Sequence, residues 1–102
     1  MHDLVKIAKI FSDINRINII VLILRDKELC VCEICDTLEL SQPLVSRHLK
    51  QMKQANILEA RQEKKWMIYT LNKGLSSFSQ CFIQELKKHS LSLPKLISCS
   101  KI

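Results

Sequence analysis

Three of the five cysteines in this 102-residue chain lie within six residues of one another, at Cys30, Cys32 and Cys35. Thiolates are soft ligands that select thiophilic ions, so this spacing is a candidate ion site. Cys32 and Cys35 are three residues apart, which on a helix places their sulfurs on neighbouring faces. Cys30 falls just before or in the first turn, where helix amides favour the thiolate form. Three sulfurs on one short segment suit a three-coordinate pyramidal ion such as arsenite or antimonite, whereas zinc would want a fourth ligand.

Cys35 has a second interpretation, because it shares a helix face with apolar residues and can be a packed core cysteine. If it is both inward-facing and a ligand, binding must rotate or unwind the start of its helix. The sequence places Cys30 and Cys32 in a polar loop, where they have no packing role, and this favours them as ligands. Cys81 and Cys99 are interpreted as a packed thiol and a tail thiol.

A polar, basic stretch follows the cysteines directly and has the largest net positive charge of any part of the chain. The chain has a formal charge of +6. Residues 41–73 contain seven Lys and Arg against two Glu, a net charge of +5, whereas the first forty residues carry −2. Charge concentrated in a middle segment is typical of a nucleic-acid face, although a solvated basic surface has the same composition.

The elements that must position these residues are mostly helices. Apolar spacing predicts a first helix over about 3–12 and a nearly all-apolar second helix capped by Asp13. The Ile- and Val-rich run of that second helix is also compatible with a strand. A polar break at 25–28 is followed by a short amphipathic helix from about Val31. Ser41 caps a fourth helix that carries Pro43 in its first turn and ends at Asn56.

Two short helices joined by a tight turn predict a helix-turn-helix over about 31–55. An alternating hairpin with a charged tip over about 57–71 is the position of a wing. Gly74 opens a last helix over about 75–88, and a weakly organised tail covers 91–102. The prediction is therefore one mainly α domain over 1–102 with a small β-hairpin: a winged helix-turn-helix of about five helices and a two-stranded wing.

The same sequence features bear on location and chemistry. The N-terminus has no pattern of a signal peptide, and the most apolar run is too short to span a bilayer, so we expect a cytoplasmic protein with no membrane partner. An odd number of cysteines in such a chain favours thiol, metal or redox roles over a disulfide framework. No organic cofactor is expected.

Four motifs together resemble the ArsR/SmtB winged-helix repressors, and among them the arsenical-resistance repressors. They are Asp13-x-x-Arg16, the segment from Glu28 through Cys32 with Cys35, the run from Ser41 to Leu49, and Lys65-Trp66-x-x-Tyr69-x-Leu71. The resemblance implies a homodimer, packed through its first and last helices, that binds an inverted-repeat operator and lets go when an ion binds. The last helix lacks the paired ligands of the zinc-sensing relatives, and the N-terminus lacks the extra cysteines of the cadmium/lead sensors.

This chain also departs from the family pattern in its turns. Asn56 and Lys64 each stand where the family commonly has glycine, and Ile14 replaces a usual proline. The first is a mild change because Asn tolerates left-handed backbone. Lys64 adds a charge at the wing tip but makes the turn geometry there uncertain.

The function expected from these residues is a metalloid-responsive transcriptional repressor, not an enzyme. Its ligand would be As(III) or Sb(III) at Cys30, Cys32 and Cys35, and its partner double-stranded operator DNA. The expected DNA contacts are Ser41, Gln42, Ser46, Arg47, His48, Lys50, Gln51 and Lys53 of the helix and Arg61, Lys64 and Lys65 of the wing. Alternatives are the same repressor sensing Cd/Pb or thiol redox or persulfide state. A small thiol oxidoreductase using Cys32-x-x-Cys35 is remote, because the chain lacks the βαβ setting of that motif.

Overall fold

The computed structural model describes residues 2–88, which form five helices and a three-stranded sheet. In chain order the elements are α1 (His2–Ile10), α2 (Ile14–Asp26), β1 (Glu28–Cys30), α3 (Val31–Leu38), α4 (Gln42–Gln54), β2 (Leu58–Glu63), β3 (Trp66–Leu71) and α5 (Ser77–Lys88). The winged helix-turn-helix expected from the sequence is confirmed. No helix within this part of the chain is long and apolar enough to cross a membrane.

Helix α2 is the centre of the core, and its helical interpretation is confirmed over the strand alternative. Asp13 caps it, with its carboxylate Oδ1 accepting hydrogen bonds from the backbone N–H groups of Asn15 at 2.8 Å and Arg16 at 3.4 Å. The cap satisfies amides that the first turn of a helix otherwise leaves without partners. Four α2 side chains are almost fully buried, namely Ile19, Ile20, Leu22 and Ile23.

The sheet contains a strand that the sequence did not predict. Residues 25–28 were expected to be a polar break, but Glu28–Cys30 form β1 and pair antiparallel with β3. The strand order is β1-β3-β2, so β3 lies at the centre and the wing is continuous with the cysteine segment. Three residues are too few to show an alternating pattern, and their partners are about forty positions further along the chain.

The helix-turn-helix consists of α3 and α4, which pack against each other. The turn between them passes through Glu39 with a left-handed φ of 56°, and Ser41 then caps α4 by accepting a hydrogen bond from Leu44 N–H at 3.4 Å. On its inner side α4 buries Val45, Leu49 and Met52 completely. Helical spacing predicts these three residues and Leu44 on the inner side, and Leu44 is only half-buried.

Two further turns use left-handed residues where glycine would be unstrained. Asn56, after α4, has φ of 60°, which confirms the conformation expected for it. Lys64, at the tip between β2 and β3, has φ of 58°. A side chain with a Cβ costs about 1–2 kcal/mol in this region, so the wing of this chain stores strain at a lysine.

Helix α5 begins later than expected, because Gly74 and Leu75 precede it and Ser76 caps it by accepting a hydrogen bond from Ser79 N–H at 3.2 Å. It packs against the end of α1 through Phe11, whose ring stacks on Phe82 at 4.2 Å between centroids. The predicted tail over 91–102 lies outside the described residues.

Candidate functional site

The outer face of α4 presents the polar side chains that the sequence assigned to a DNA surface. Six of the eight helix residues named above are exposed: Ser41, Gln42, Ser46, Arg47, Lys50 and Lys53. They share this exposure because the apolar side chains of α4 occupy its other face. The helix therefore offers hydroxyl, amide and cationic groups on one surface, the donor and acceptor types that read base edges and phosphates.

His48 and Gln51 do not belong to this exposed face. His48 is 3% exposed, and its Nδ1 accepts a hydrogen bond from Arg16 Nε at 3.0 Å. Gln51 is half-buried, and its Oε1 accepts from Arg16 Nη2 at 2.6 Å. Arg16 also donates to the backbone carbonyl of Lys9 at 3.2 Å. One guanidinium thus fastens α4 to α2 and to the end of α1.

The hydrogen bond from Arg16 fixes the protonation of His48. Since Nδ1 accepts, the ring proton of the neutral imidazole is on Nε2. Burial lowers the pKa of His48, and Arg16 and Arg47 lower it further, while Asp13 opposes them. Within residues 2–88 the buried Nε2 has no hydrogen-bond partner. The neutral form of His48 is therefore favoured, and its hydrogen bond with Arg16 connects the buried side of α4 to α2.

In the wing, all three expected cations are exposed, but their surroundings differ. The Lys65 ammonium lies over the Trp66 ring at 5.3 Å from its centroid, a cation–π arrangement. Arg61 is held by two carboxylates, since its Nη2 donates to Glu28 at 2.8 Å and to Glu63 at 3.0 Å. Lys64 is at the strained tip. The wing is basic, and its arginine is already engaged by acidic side chains.

Cys30 is not in a polar loop, and that expectation was wrong. It is the last residue of β1 and the N-cap of α3, and it is 1% exposed. Its backbone N–H donates to the buried carboxylate of Glu33 at 3.0 Å, and its sulfur faces the Glu33 amide in a capping box. Cys30, interpreted from the sequence as a ligand with no packing role, is thus the most deeply packed of the three cysteines.

Cys32 and Cys35 lie three residues apart in α3, and their surroundings differ. Cys35 is a half-buried free thiol packed against the core. Burial raises its pKa, and Asp36 and Cys30 add to the effect. Cys32 Sγ lies 3.7 Å from Asp36 Oδ2, and Cys32 is disulfide-bonded in this structure. The inward packing anticipated for Cys35 is present.

The three sulfurs are not gathered in this state. Among residues 2–88, no three His, Cys, Asp or Glu side chains are arranged to hold a metal ion. The donor types nevertheless suit a thiophilic ion, and all three cysteines belong to the junction of β1 and α3.

Two residues with a structural role here were given none from the sequence. Arg16 appeared only as part of a motif, and Glu28 only as part of the cysteine segment. A basic residue one turn after the Asp13 cap, at the start of a helix with a long apolar run, is the signal that could have indicated Arg16 as a half-buried hydrogen-bond donor. Glu28 had no such signal, because its partner Arg61 is 33 residues away.

The comparisons with known proteins agree with this geometry. The family model described as "Bacterial regulatory protein, arsR family" matches residues 13–60. The arsenic resistance transcriptional regulator ArsR1 of Pseudomonas putida is 46% identical over 66 residues, which cover 65% of this chain and 52% of the relative. The arsenical resistance operon repressor of Escherichia coli is 35% identical over 81 residues, covering 79% and 69%.

Among solved structures, HlyU from Vibrio cholerae superposes with a TM-score of 0.72 at 30% identity and covers 85% of this chain and 90% of that one. The chain spans about half the length of the Pseudomonas relative and about two thirds of the Escherichia coli relative. The likeness therefore covers both the helix-turn-helix and the three-stranded sheet.

Proposed function

The chain belongs to the ArsR family of bacterial regulatory proteins, and on that premise we propose that it is a metalloid-responsive repressor. In this proposal a homodimer binds an inverted-repeat operator, and As(III) or Sb(III) binding at Cys30, Cys32 and Cys35 releases it. The observation that carries the proposal is the position of Cys30, which ends β1 and caps α3. A ligand at this residue acts at the joint between the wing and the helix-turn-helix.

The mechanism follows from a conflict between capping and coordination. Cys30 is packed and engaged by Glu33, whereas Cys35 faces the core from the next turn. A pyramidal site draws these sulfurs toward one point, so the first turn of α3 must rotate or unwind. Because α3 packs against α4, this movement shifts the exposed face of α4 relative to DNA. The cysteine segment then works as a lever on the recognition helix.

The bond chemistry separates a metalloid from a divalent cation. Three thiols condense with one As(OH)3 to form three As–S bonds and three water molecules, with no net release of protons. A divalent cation such as Cd²⁺ displaces protons from the same thiols, because the ligand is the thiolate. Proton release on binding, followed in weakly buffered solution, therefore distinguishes the two classes of inducer.

On the DNA side, we propose that α4 of each subunit enters one of two successive major grooves. Gln42, Ser46 and Arg47 supply contacts to base edges and nearby phosphates, and Lys50 and Lys53 contact phosphates. His48 and Gln51 hold α4 in place through Arg16 instead of reaching the groove. In the wing, Arg61, Lys64 and Lys65 contact the DNA backbone or the minor groove.

The proposed dimer surface is formed by α1 and α5. Leu4 and Val5 of α1 are each 48% exposed, and Phe78 of α5 is 40% exposed. Phe78 lies 6.1 Å from Phe11 between ring centroids, which places it beside the residue that follows α1. Exposed apolar side chains that lie together mark interaction surfaces, and we propose that these do. Sedimentation of wild type and of Leu4→Glu tests this point, and an unchanged molecular mass for the variant contradicts it.

The DNA claim is tested first, with a duplex selected by the wild-type protein from a random-sequence pool. The expected product is an inverted repeat, and log affinity should fall linearly with log salt concentration. Arg47→Ala should weaken binding to this duplex. A pool without any enriched inverted repeat, or an Arg47→Ala variant with unchanged affinity, overturns the DNA assignment.

The ligand claim uses the same duplex and fully reduced protein, because the site requires the thiol form of Cys32. Arsenite and antimonite should weaken DNA binding by about 5- to 150-fold, the range of ordinary allosteric coupling. Single Cys30→Ser, Cys32→Ser and Cys35→Ser variants should lose the response. Cys81→Ser is the matched control and should respond like wild type, because Cys81 is an exposed thiol on α5 and not the packed thiol expected from the sequence.

The other inducers are distinguished in the same titration. Release by cadmium or lead accompanied by proton release, with no effect of arsenite, identifies a divalent-cation sensor. Release by a disulfide- or persulfide-forming oxidant and recovery on reduction identifies a thiol redox sensor. Either outcome leaves the DNA assignment standing and contradicts the metalloid assignment.

A further inference from the structure

The wing arginine has two carboxylate partners in this structure, and only one of them belongs to the wing itself. Glu63 lies two residues from Arg61 on β2, so that contact is local. Glu28 is the first residue of β1, at the far edge of the sheet, and accepts from Arg61 Nη2 at 2.8 Å. Both side chains of the Glu28–Arg61 pair are about half exposed, so another anion has access to the guanidinium.

The strand register explains why this pair can form and what it connects. Arg61 pairs with Ile68, and Ile68 pairs with Cys30, so these three residues make one row across the sheet. Strands lie about 4.8 Å apart, which places the Cys30 and Arg61 backbones about 10 Å apart. Side chains two positions apart share a face, so Glu28 lies on the same face as Arg61.

We propose that Glu28 regulates the wing by competing with DNA phosphate for the Arg61 guanidinium. In the free protein Glu28 holds Arg61 against the sheet, and on DNA the guanidinium exchanges this carboxylate for phosphate. Because Glu28 and Cys30 are in the same three-residue strand, movement of Cys30 on ligand binding also moves Glu28. The wing is thus a second route from the cysteine segment to DNA, beside the route through α3 and α4. This inference rests on the proposed DNA-binding function.

The test measures affinity for the selected duplex without ligand, by fluorescence anisotropy over a series of salt concentrations. Glu28→Gln removes the competing charge and should tighten DNA binding about two- to fivefold, as expected from an exposed ion pair. Glu59→Gln is the matched control. Glu59 lies in the same row of the sheet as Glu28 and accepts from the Lys73 backbone N–H.

A double-mutant cycle separates direct competition from general charge. In an Arg61→Gln background, Glu28→Gln should have no more effect than Glu59→Gln. Equal tightening by Glu28→Gln and Glu59→Gln in the wild-type background, or the same Glu28→Gln effect with and without Arg61, overturns the proposal.

The coupling to the cysteine segment has its own readout. The loss of DNA affinity caused by arsenite should be smaller in Glu28→Gln than in wild type, because Arg61 is no longer controlled by β1. An identical loss in both proteins overturns the second route. If wild type binds the selected duplex but arsenite has no effect, the metalloid assignment fails, and the Glu28–Arg61 competition is decided by the ligand-free cycle.

Discussion

Arg16 is a polar side chain outside the proposed ligand site that should contribute strongly to stability. Its guanidinium joins α2 to His48 and Gln51 of α4 and to the Lys9 carbonyl. We consider Arg16→Met, which keeps an aliphatic stem and removes all three donors. The lost hydrogen bond to His48 should account for most of the destabilisation. His48 is 3% exposed, so water cannot replace Arg16 as the donor to its Nδ1.

The magnitude follows from the burial of each partner. An unpaired buried acceptor costs about 1–3 kcal/mol, and an ordinary net hydrogen bond such as that to Gln51 contributes about 1 kcal/mol. The bond to the Lys9 carbonyl is exposed, so water replaces it at little cost. We therefore expect Arg16→Met to lower the free energy of unfolding by about 2–4 kcal/mol.

The assay is urea unfolding followed by far-ultraviolet circular dichroism, at one fixed protein concentration because a dimer's stability depends on concentration. Arg47→Met is the matched control, since this exposed neighbour should change stability by no more than about 0.5 kcal/mol. In a cycle with His48→Leu, the coupling with Arg16 should reach about 0.5–3 kcal/mol. If Arg16→Met is as stable as Arg47→Met, the reasoning from buried acceptors is refuted.

Three further predictions concern the buried His48, the Lys64 turn and the Asp13 cap. Burial lowers the pKa of His48, so below about pH 6.5 the unfolded state binds the proton more readily than the folded state, and stability falls as pH falls. His48→Gln should flatten this acid loss between pH 7.5 and 5.5 in urea unfolding; an equally steep loss contradicts it. Lys64→Gly should raise the urea midpoint by relieving a positive φ, yet reduce the salt dependence of DNA binding by about 0.9 in slope. Asp13→Ala should cost about 1 kcal/mol of unfolding free energy, and Asp13→Asn much less.

Local signals in the sequence were sufficient for the helical part of this fold. Cap residues such as Asp13 and Ser41 accept hydrogen bonds from amides two or three residues later, so a cap can be predicted from adjacent residues in the sequence. The apolar spacing of α4 likewise determined which residues it buries. The DNA contacts expected between Ser41 and Lys53 are all exposed in the structure except His48 and Gln51.

The exceptions depend on partners distant in the chain. His48 was expected to contact DNA, but it is buried, and Arg16, 32 residues earlier, satisfies its Nδ1 by donating a hydrogen bond. β1 was not predicted because a three-residue strand is stabilised by its pairing with β3, which lies about forty residues later in the chain. Such pairings carry no local pattern that composition or periodicity can reveal.

In the cysteine segment, some properties could be predicted from the sequence and others depend on tertiary contacts. Sequence alone determined the donor types, because thiols prefer thiophilic ions wherever the segment lies. Tertiary structure decided the rest: that Cys30 is buried where the sheet meets α3, and that Glu28 beside it holds a wing arginine. The physical reason is that ligand preference belongs to the atoms of a side chain, whereas burial and coupling belong to the contacts that surround it.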